Sequence, residues 1–392
     1  MSIVKRYQNH LRISADILKN RPKGKPFHIY LKTVFKEHKK FGSKDRKSLK
    51  ELCYGYFRIG HLLPLDLPEA LMAWTYIQGE VQQEILDFSA RELGLVNHNK
   101  REERIDEILN TFNLRIEDLY LWQCAISDRL DKNAYSRQFW NKPKMWLRAL
   151  KKFQQPVAAY LTENGFAVES PFQGCLGIKE NLVLQQHRFV ETRTEVQDRS
   201  SQWVVQSFAD RINGPVWDAC AASGGKALAL KDCRPDLRIV ASDKREGSLR
   251  NLSLRAKKNG LRFESGRVDL SKELKEFKIG DQVFGGQFFQ TIWLDVPCTG
   301  SGTWPRNPES ALDLKLDKID KYVKMQRDIV RNALPFLAQE GLLLYTTCSV
   351  FEAENEGQLE YFEAFGLQVL EIGYVQGYQN DCDSMFYLLL RK

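Results

Sequence analysis

The chain has 392 residues, 43% of them hydrophobic and 28% charged, which supplies cores for about two or three ordinary domains. No stretch approaches the ~18 consecutive apolar residues of a membrane span, and the opening Met1-Ser-Ile-Val-Lys-Arg has no apolar leader, so a cytoplasmic protein without membrane attachment is expected. The net charge of +8 is unevenly placed: residues 1–60 carry 16 Lys and Arg against 4 Asp and Glu, a balance of +12, leaving −4 for the remainder.

A polycation at one end, with Tyr30, Phe35, Phe41, Tyr54 and Tyr56 among the charges, predicts a phosphate-binding surface. The eight cysteines form no Cys-x-x-Cys pair, so neither a disulfide framework nor a zinc site is expected, and no metal is called for. Cys53, Cys124, Cys175 and Cys233 are expected to be small core fillers.

Residues 1–135 read as helices. Ser43 is a candidate N-cap, after which Leu49, Leu52, Cys53, Tyr56 and Ile59 recur at three-and-four spacing; Val81 to Leu93 and Arg104 to Phe112 keep that period. Residues 136–200 change character, with a helical stretch ending near Asn164-Gly165 and short alternating runs about Leu176 and Leu182, which predicts a small α+β insert. Over 201–392 the pattern becomes strand, turn, helix, repeated: Val216-Trp217, Ile239 to Asp243, Phe263 to Val268, Thr291 to Leu294 and Leu342 to Tyr345. That alternation predicts a parallel sheet covered on both faces, an α/β fold whose ligand sits beyond the carboxyl ends of its strands.

Four of those strand ends carry an acid: Asp218, Asp243, Asp269 and Asp295. The first opens Asp218-Ala-Cys-Ala-Ala-Ser-Gly-Gly-Lys226, which is no phosphate loop, because Cys220 stands where glycine is needed and Ala227 where Ser or Thr is needed. Asp243, 18 residues past Gly225, stands where an acid takes ribose hydroxyls. Such a field repels a polyphosphate that brings no metal and suits the cationic nucleoside S-adenosylmethionine.

Two cysteines follow strands: Cys298 in Asp295-Val-Pro-Cys-Thr-Gly-Ser-Gly and Cys348 in Tyr345-Thr-Thr-Cys-Ser. All six histidines precede residue 201, so no nearby imidazole activates either thiol, and a helix end, a cation or the substrate must. A thiolate that adds to carbon 6 of a pyrimidine turns carbon 5 into an enamine nucleophile able to attack a methyl sulfonium, and a second thiol helps the subsequent release. Asp295 is a candidate acceptor for the exocyclic amine of cytosine.

These segments resemble the Sun/Nop-type RNA cytosine-C5 methyltransferases. The likeness rests on Val196-Gln-Asp-Arg-Ser-Ser201, the Asp218 to Lys226 loop, Asp243, Asp269, Asp295 to Thr303 with Arg306-Asn-Pro-Glu309, and Tyr345 to Val350 followed by Glu354-Asn-Glu356. The resemblance implies a Rossmann-like class I methyltransferase domain over 201–392, preceded by an all-α NusB-like RNA-binding domain over 1–135 and the insert over 136–200. It implies that Cys348 is the nucleophile, that Cys298 assists release, and that Asp295 completes the catalytic set. It implies that Cys220, Ala221, Ala222, Ser223, Gly224, Gly225, Lys226, Asp243, Asp269 and Asp295 hold the S-adenosylmethionine and the target base.

A monomeric S-adenosylmethionine-dependent enzyme making 5-methylcytosine in 16S rRNA is therefore expected. The alternatives are a tRNA cytosine-C5 methyltransferase, a DNA enzyme relying on Cys298, and a non-catalytic RNA-binding ribosome-assembly factor. Three positions depart from the family: Ser223 replaces a usual proline, Pro305 an arginine, and Asp383-Ser-Met lacks a glycine.

Overall fold

The computed structural model describes residues 2–22, 24, 26–180 and 182–392, leaving aside the side chains of residues 117 and 121. The chain forms two compact units interleaved in sequence. One comprises Met1–Cys124, Lys132–Lys142 and Trp304–Leu314; the other Ala125–Asp131, Pro143–Thr303 and Lys315–Lys392. The sequence expectation, by comparison, divides the chain at residues 135 and 200.

The first unit is helical: α1 Ile3–Lys19, α2 Phe27–Glu37, α3 Ser43–Arg58, α4 Leu67–Gln78, α5 Gln83–Glu92 and α6 Arg101–Thr111 lead its element order. The expected cap at Ser43 is displaced by one residue, because the N-cap is Gly42, whose N–H donates to the Asp45 carboxylate at 3.2 Å. In α4 every residue from Ala70 to Ile77 is buried, the mark of a central helix rather than an amphipathic surface one. Asp66 and Glu69 cap its start reciprocally and Gly79 ends it in the left-handed conformation. Gly55 lets α3 approach α4, since a Cβ there would lie 2.1 Å from Cγ of Trp74.

Phe27, Leu31, Cys53 and Phe57 pack one apolar cluster of this unit. Phe57, one position on from the expected Tyr56, takes the buried place, and Tyr56 is half-buried. The segment Trp304–Leu314 is built into the same unit. Buried Arg58 donates to the carbonyls of Pro305 and Phe139, and the Trp304 ring stands 5.3 Å from that of Trp122. Burial pulls the Arg58 guanidinium down to about 10 against the opposing pull of Glu51 and Glu309. Of the cysteines expected in cores, Cys53 and Cys175 are buried and Cys233 half-buried, but Cys124 is exposed.

The second unit holds two larger sheets. A four-stranded antiparallel sheet of β1 Met145–Ala149, β2 Val168–Glu169, β3 Cys175–Ile178 and β4 Thr194–Val196 runs in the order β2-β3-β1-β4. Then follow β5 Val216–Asp218, β6 Ile239–Asp243, β7 Glu264–Arg267, a hairpin of β8 Phe277–Ile279 and β9 Gln282–Phe284, β10 Phe289–Asp295, β11 Leu337–Thr347, β12 Gln368–Val375 and β13 Met385–Arg391. The large sheet has the order β12-β13-β11-β10-β5-β6-β7, parallel from β11 to β7 and antiparallel at the β12 and β13 edge.

Its central strands are buried on both faces, and side chains alternate between two apolar layers: Trp217, Val240, Ile292 and Leu343 on one side, Val216, Ile239, Trp293 and Leu344 on the other. This is the α/β, Rossmann-like architecture expected, with a helical region before it. Among the described residues no helix is long and apolar enough to cross a membrane.

Candidate active site

The strand order reverses between β5 and β10, so a crevice opens beyond their carboxyl ends. A cavity of about 400 Å³ lies there, lined among others by Cys220, Ala222, Asp243, Asp269, Asp295 and Cys298. Asp218, Asp243 and Asp295 are the last residues of β5, β6 and β10. Asp269, expected to end its strand, lies two residues past Arg267, the end of β7. There it accepts the N–H and hydroxyl of Ser271 at 3.1 and 2.6 Å, which hold its carboxyl below the usual range.

The loop after β5 is pinned to the sheet by N–H bonds from Ala219 to the Trp293 carbonyl at 3.1 Å and from Ala221 to the Ser242 carbonyl at 2.8 Å. It turns through left-handed backbone at Ala222 (φ 48°) and Gly224 (φ 78°), and a Cβ on Gly224 would lie 2.7 Å from Cγ of Leu252. Of its expected ligand-holding residues, Cys220 and Ala222 reach the cavity; Ala221, Ser223, Gly224, Gly225 and Lys226 do not line it. Ser223 is turned to Arg255, which donates to both its carbonyl (2.8 Å) and its hydroxyl (3.0 Å), an anchor that the usual proline could not provide through a side chain.

Lys226 instead runs beneath the loop to Asp295, Nζ to Oδ2 at 2.7 Å, while Thr346 donates to Oδ1 at 3.0 Å. Burial alone would pull the ammonium down, but Asp295, Cys348 and Asp218 outweigh it and push it up to about 12. Asp218 is buried, and its Oδ1 has no hydrogen-bond partner among the described residues. Desolvation, then the charge of Asp295, raises its carboxyl to about 7, against partial relief from Lys226. Asp243 accepts from the Ala222 N–H at 3.0 Å and the Arg245 N–H at 2.8 Å, and the exposed Arg245 guanidinium folds back on it at 3.1 Å.

This donor set fits a nucleoside bearing a positive charge. It offers carboxylates for hydroxyl and amino groups and an uncompensated buried oxygen behind them, and its acids would repel phosphates.

The two thiols come from adjacent strands. β10 and β11 run parallel with Asp295 opposite Thr346, so the chain reaches Cys298 three residues beyond one strand and Cys348 one residue beyond the other. The Gly302 N–H donates to the Cys348 carbonyl at 2.8 Å and ties the two loops together. Cys298 lines the cavity, and desolvation, Cys348 and Glu354 push its thiol well above the ordinary value. Cys348 is half-buried, packs at the border of an apolar layer, and does not line the cavity.

Several residues here were not singled out individually from the sequence. Arg245 covers Asp243, Tyr322 of the helix Asp317–Ala333 lines the cavity, and Glu354 is fully buried beside the thiol loops. Only Glu354 had a signal, its place in the Glu354-Asn-Glu356 run; Tyr322 and Arg245 sit in ordinary amphipathic or charged contexts.

Residues 206–368 match the family model described as 16S rRNA methyltransferase RsmB/F. The chain is 26% identical to ribosomal RNA small subunit methyltransferase B of Proteus mirabilis over 93% of this chain and 94% of that protein. It is 28% identical to the protein of the same name from Shewanella oneidensis over 58% of this chain, and spans 53% of that relative's length. Among solved structures, that of PH0851 shares the fold with a TM-score of 0.70 at 22% identity over 100% of both chains. NSun6 from Pyrococcus horikoshii, solved with SFG, gives 0.56 at 16% identity over 68% of this chain and 98% of that one.

Proposed function

We propose that this chain, which belongs to the 16S rRNA methyltransferase RsmB/F family, methylates carbon 5 of a cytosine in 16S rRNA through a temporary bond from the sulfur of Cys348 to carbon 6 of the ring. The observation that carries the reading is the pairing of β10 with β11, which delivers two thiols to one end of one sheet. Bound S-adenosylmethionine supplies an electrophilic methyl group. Asp243 would receive the ribose hydroxyls once the exposed Arg245 side chain swings into solvent, and Asp269 and the backbone of Cys220 and Ala222 would complete the wall.

Asp295 keeps lone pairs beyond those used by Lys226 and Thr346, and these would accept the exocyclic amine of cytosine, a group that uracil lacks. The Lys226 ammonium, whose charge is felt at Cys348, favours the thiolate there. Addition of that sulfur at carbon 6 places electron density on carbon 5, which takes the methyl group. Loss of the carbon 5 proton with Cys298 at hand then expels Cys348 and restores the ring. A cytosine in a duplex cannot reach these groups, so the target must be unpaired or flipped out.

The helical unit would anchor the RNA. Lys32, Lys36, Lys39, Lys40, Lys44 and Lys47, all exposed, are candidate phosphate contacts on it.

The test uses Cys298→Ala, incubated with S-adenosylmethionine and either 16S rRNA or tRNA and run on a denaturing gel. A protein–RNA adduct with 16S rRNA, absent when Cys348→Ala is added, is the expected result. An adduct with tRNA alone would move the substrate to tRNA. No adduct with any RNA, or one that survives loss of Cys348, would overturn the reading.

A further inference from the structure

Glu354 is fully buried, yet its carboxylate takes part in no ion pair among the described residues; it is held by neutral donors. Oε1 accepts the Thr299 N–H at 2.9 Å and the Gln326 amide at 3.0 Å. Oε2 accepts the hydroxyls of Thr299 at 2.5 Å and Ser349 at 2.6 Å. Thr299 follows Cys298 directly and Ser349 follows Cys348 directly. Gln326, on the helix Asp317–Ala333, also donates to the carbonyl of Pro297, the residue before Cys298, at 3.0 Å.

One carboxylate therefore grips the chain next to both thiols and fastens it to a helix. Around this centre, the Ser301 and Ser349 hydroxyls lie 3.0 Å apart and Ser301 accepts the Val350 N–H at 2.9 Å. Asn355 accepts from Thr347 at 2.6 Å and donates to the Ser349 carbonyl at 2.9 Å. A buried charge kept by four hydrogen bonds is expensive to desolvate, and it persists where those bonds are needed in a single geometry.

We propose that Glu354 is a positioning residue that locks the Cys298 and Cys348 loops into one rigid piece and, through its charge, keeps Cys298 from competing as nucleophile; this rests on the two-thiol reading above. The charges are arranged in opposite senses about the pair. Lys226 acts on Cys348, while the groups that act on Cys298 include Glu354, Cys348, Tyr322 of the helix and Tyr345 of β11; Lys244 and Arg245 line the cavity that Cys298 also lines. The charges therefore favour ionisation at Cys348 over Cys298.

The experiment compares wild type, Glu354→Gln, Glu354→Asp, Thr299→Val and Cys298→Ala as full-length proteins. Its readouts are RNA affinity, turnover, trapped adduct and the pH profile of iodoacetamide labelling at Cys298, the last followed by mass spectrometry. Glu354→Gln should bind RNA as wild type does, turn over roughly tenfold to a hundredfold more slowly, as a misplacement near 1 Å would cause, and accumulate adduct. Its Cys298 should alkylate at lower pH than in wild type.

Glu354→Asp keeps the charge but shortens the reach, so it should accumulate adduct without the labelling shift. Should Glu354→Gln fail to fold, Thr299→Val, which deletes only one hydroxyl from the cluster, should still slow turnover and accumulate adduct. If Cys298→Ala itself traps no RNA, the two-thiol reading fails and this proposal with it. If Cys298→Ala traps RNA while every Glu354 and Thr299 variant turns over and labels like wild type, the role of Glu354 alone is overturned.

Discussion

Replacing Asp218 by Asn should remove a pH-dependent weakness from the centre of the large sheet. The residue is 3% exposed, and desolvation, reinforced by Asp295, carries its carboxyl from 3.8 to about 7. That difference corresponds to roughly 4 kcal/mol between the two protonation states. The folded state holds this proton more tightly than the unfolded chain. The stability it contributes is therefore complete below about pH 4 and is lost as pH climbs through about 7.

The amide that Asp218→Asn introduces has nothing to titrate, and the orphaned Oδ1 of the wild-type carboxyl means that no hydrogen bond is broken there. In urea unfolding of the cofactor-free proteins, the advantage of Asp218→Asn over wild type should grow by about 3 kcal/mol from about pH 4.5 to about pH 8. Titrations of groups that do not interact with Asp218 cancel in the difference between the two proteins. Profiles that run parallel over this range would show that Asp218 ionises normally in the folded protein and would refute the reasoning.

Two further outcomes follow from geometry and charge. Gly302→Ala would drive a Cβ to 2.0 Å from the Ser384 carbonyl oxygen and 3.0 Å from that of Cys348, both backbone atoms that cannot rotate away. Unfolding free energy should fall by about 3 kcal/mol, the upper part of the usual overpacking range. Methyl transfer should fall further, since the shift lands on the Cys348 loop; wild-type activity in a folded variant would contradict the placement of that loop. Changing Lys36, Lys39, Lys40 and Lys47 to Gln should lower the slope of log affinity for RNA against log salt by about 3, at roughly 0.7–0.9 per lost phosphate contact. Cys348→Ala should leave the slope untouched, and an unchanged slope in the lysine variant would move the RNA-anchoring surface elsewhere. Substitution is preferable to deleting residues 1–60, because Phe27, Leu31, Cys53 and Phe57 belong to the core of the helical unit.

Much of the catalytic half was legible in the sequence. Parallel strands buried on both faces have to be continuous apolar runs, so Ile239 to Asp243 and Thr291 to Leu294 could be read as strands. Acids and cysteines at their ends stand out because a chain leaving such a strand enters the crevice. The ends themselves were harder to place. β11 starts at Leu337, before the polar Gln339 and Glu340, and β7 stops at Arg267, two residues short of Asp269. Hydrogen bonds to the neighbouring strand set those limits, and composition does not report them.

Side-chain direction was likewise hidden. Within the Gly-rich loop the sequence could not say that Cys220 and Ala222 face the cavity while Ser223 turns to Arg255, since left-handed backbone at two positions reverses the alternation. Nor could it separate Cys124, exposed, from Cys53, buried, when both occur in helical surroundings.

Residue types and their order along the chain determined the α/β class and the presence of two thiols and four acids at or just beyond strand ends, because periodicity and burial are local properties. Only the tertiary structure decided that Lys226 reaches Asp295, that Glu354 grips both thiol loops, and that Trp304–Leu314 is built into the helical unit. Lys226 and Asp295 stand 69 positions apart and Glu354 and Thr299 55, and such partners are selected by strand order and packing, which no local pattern encodes.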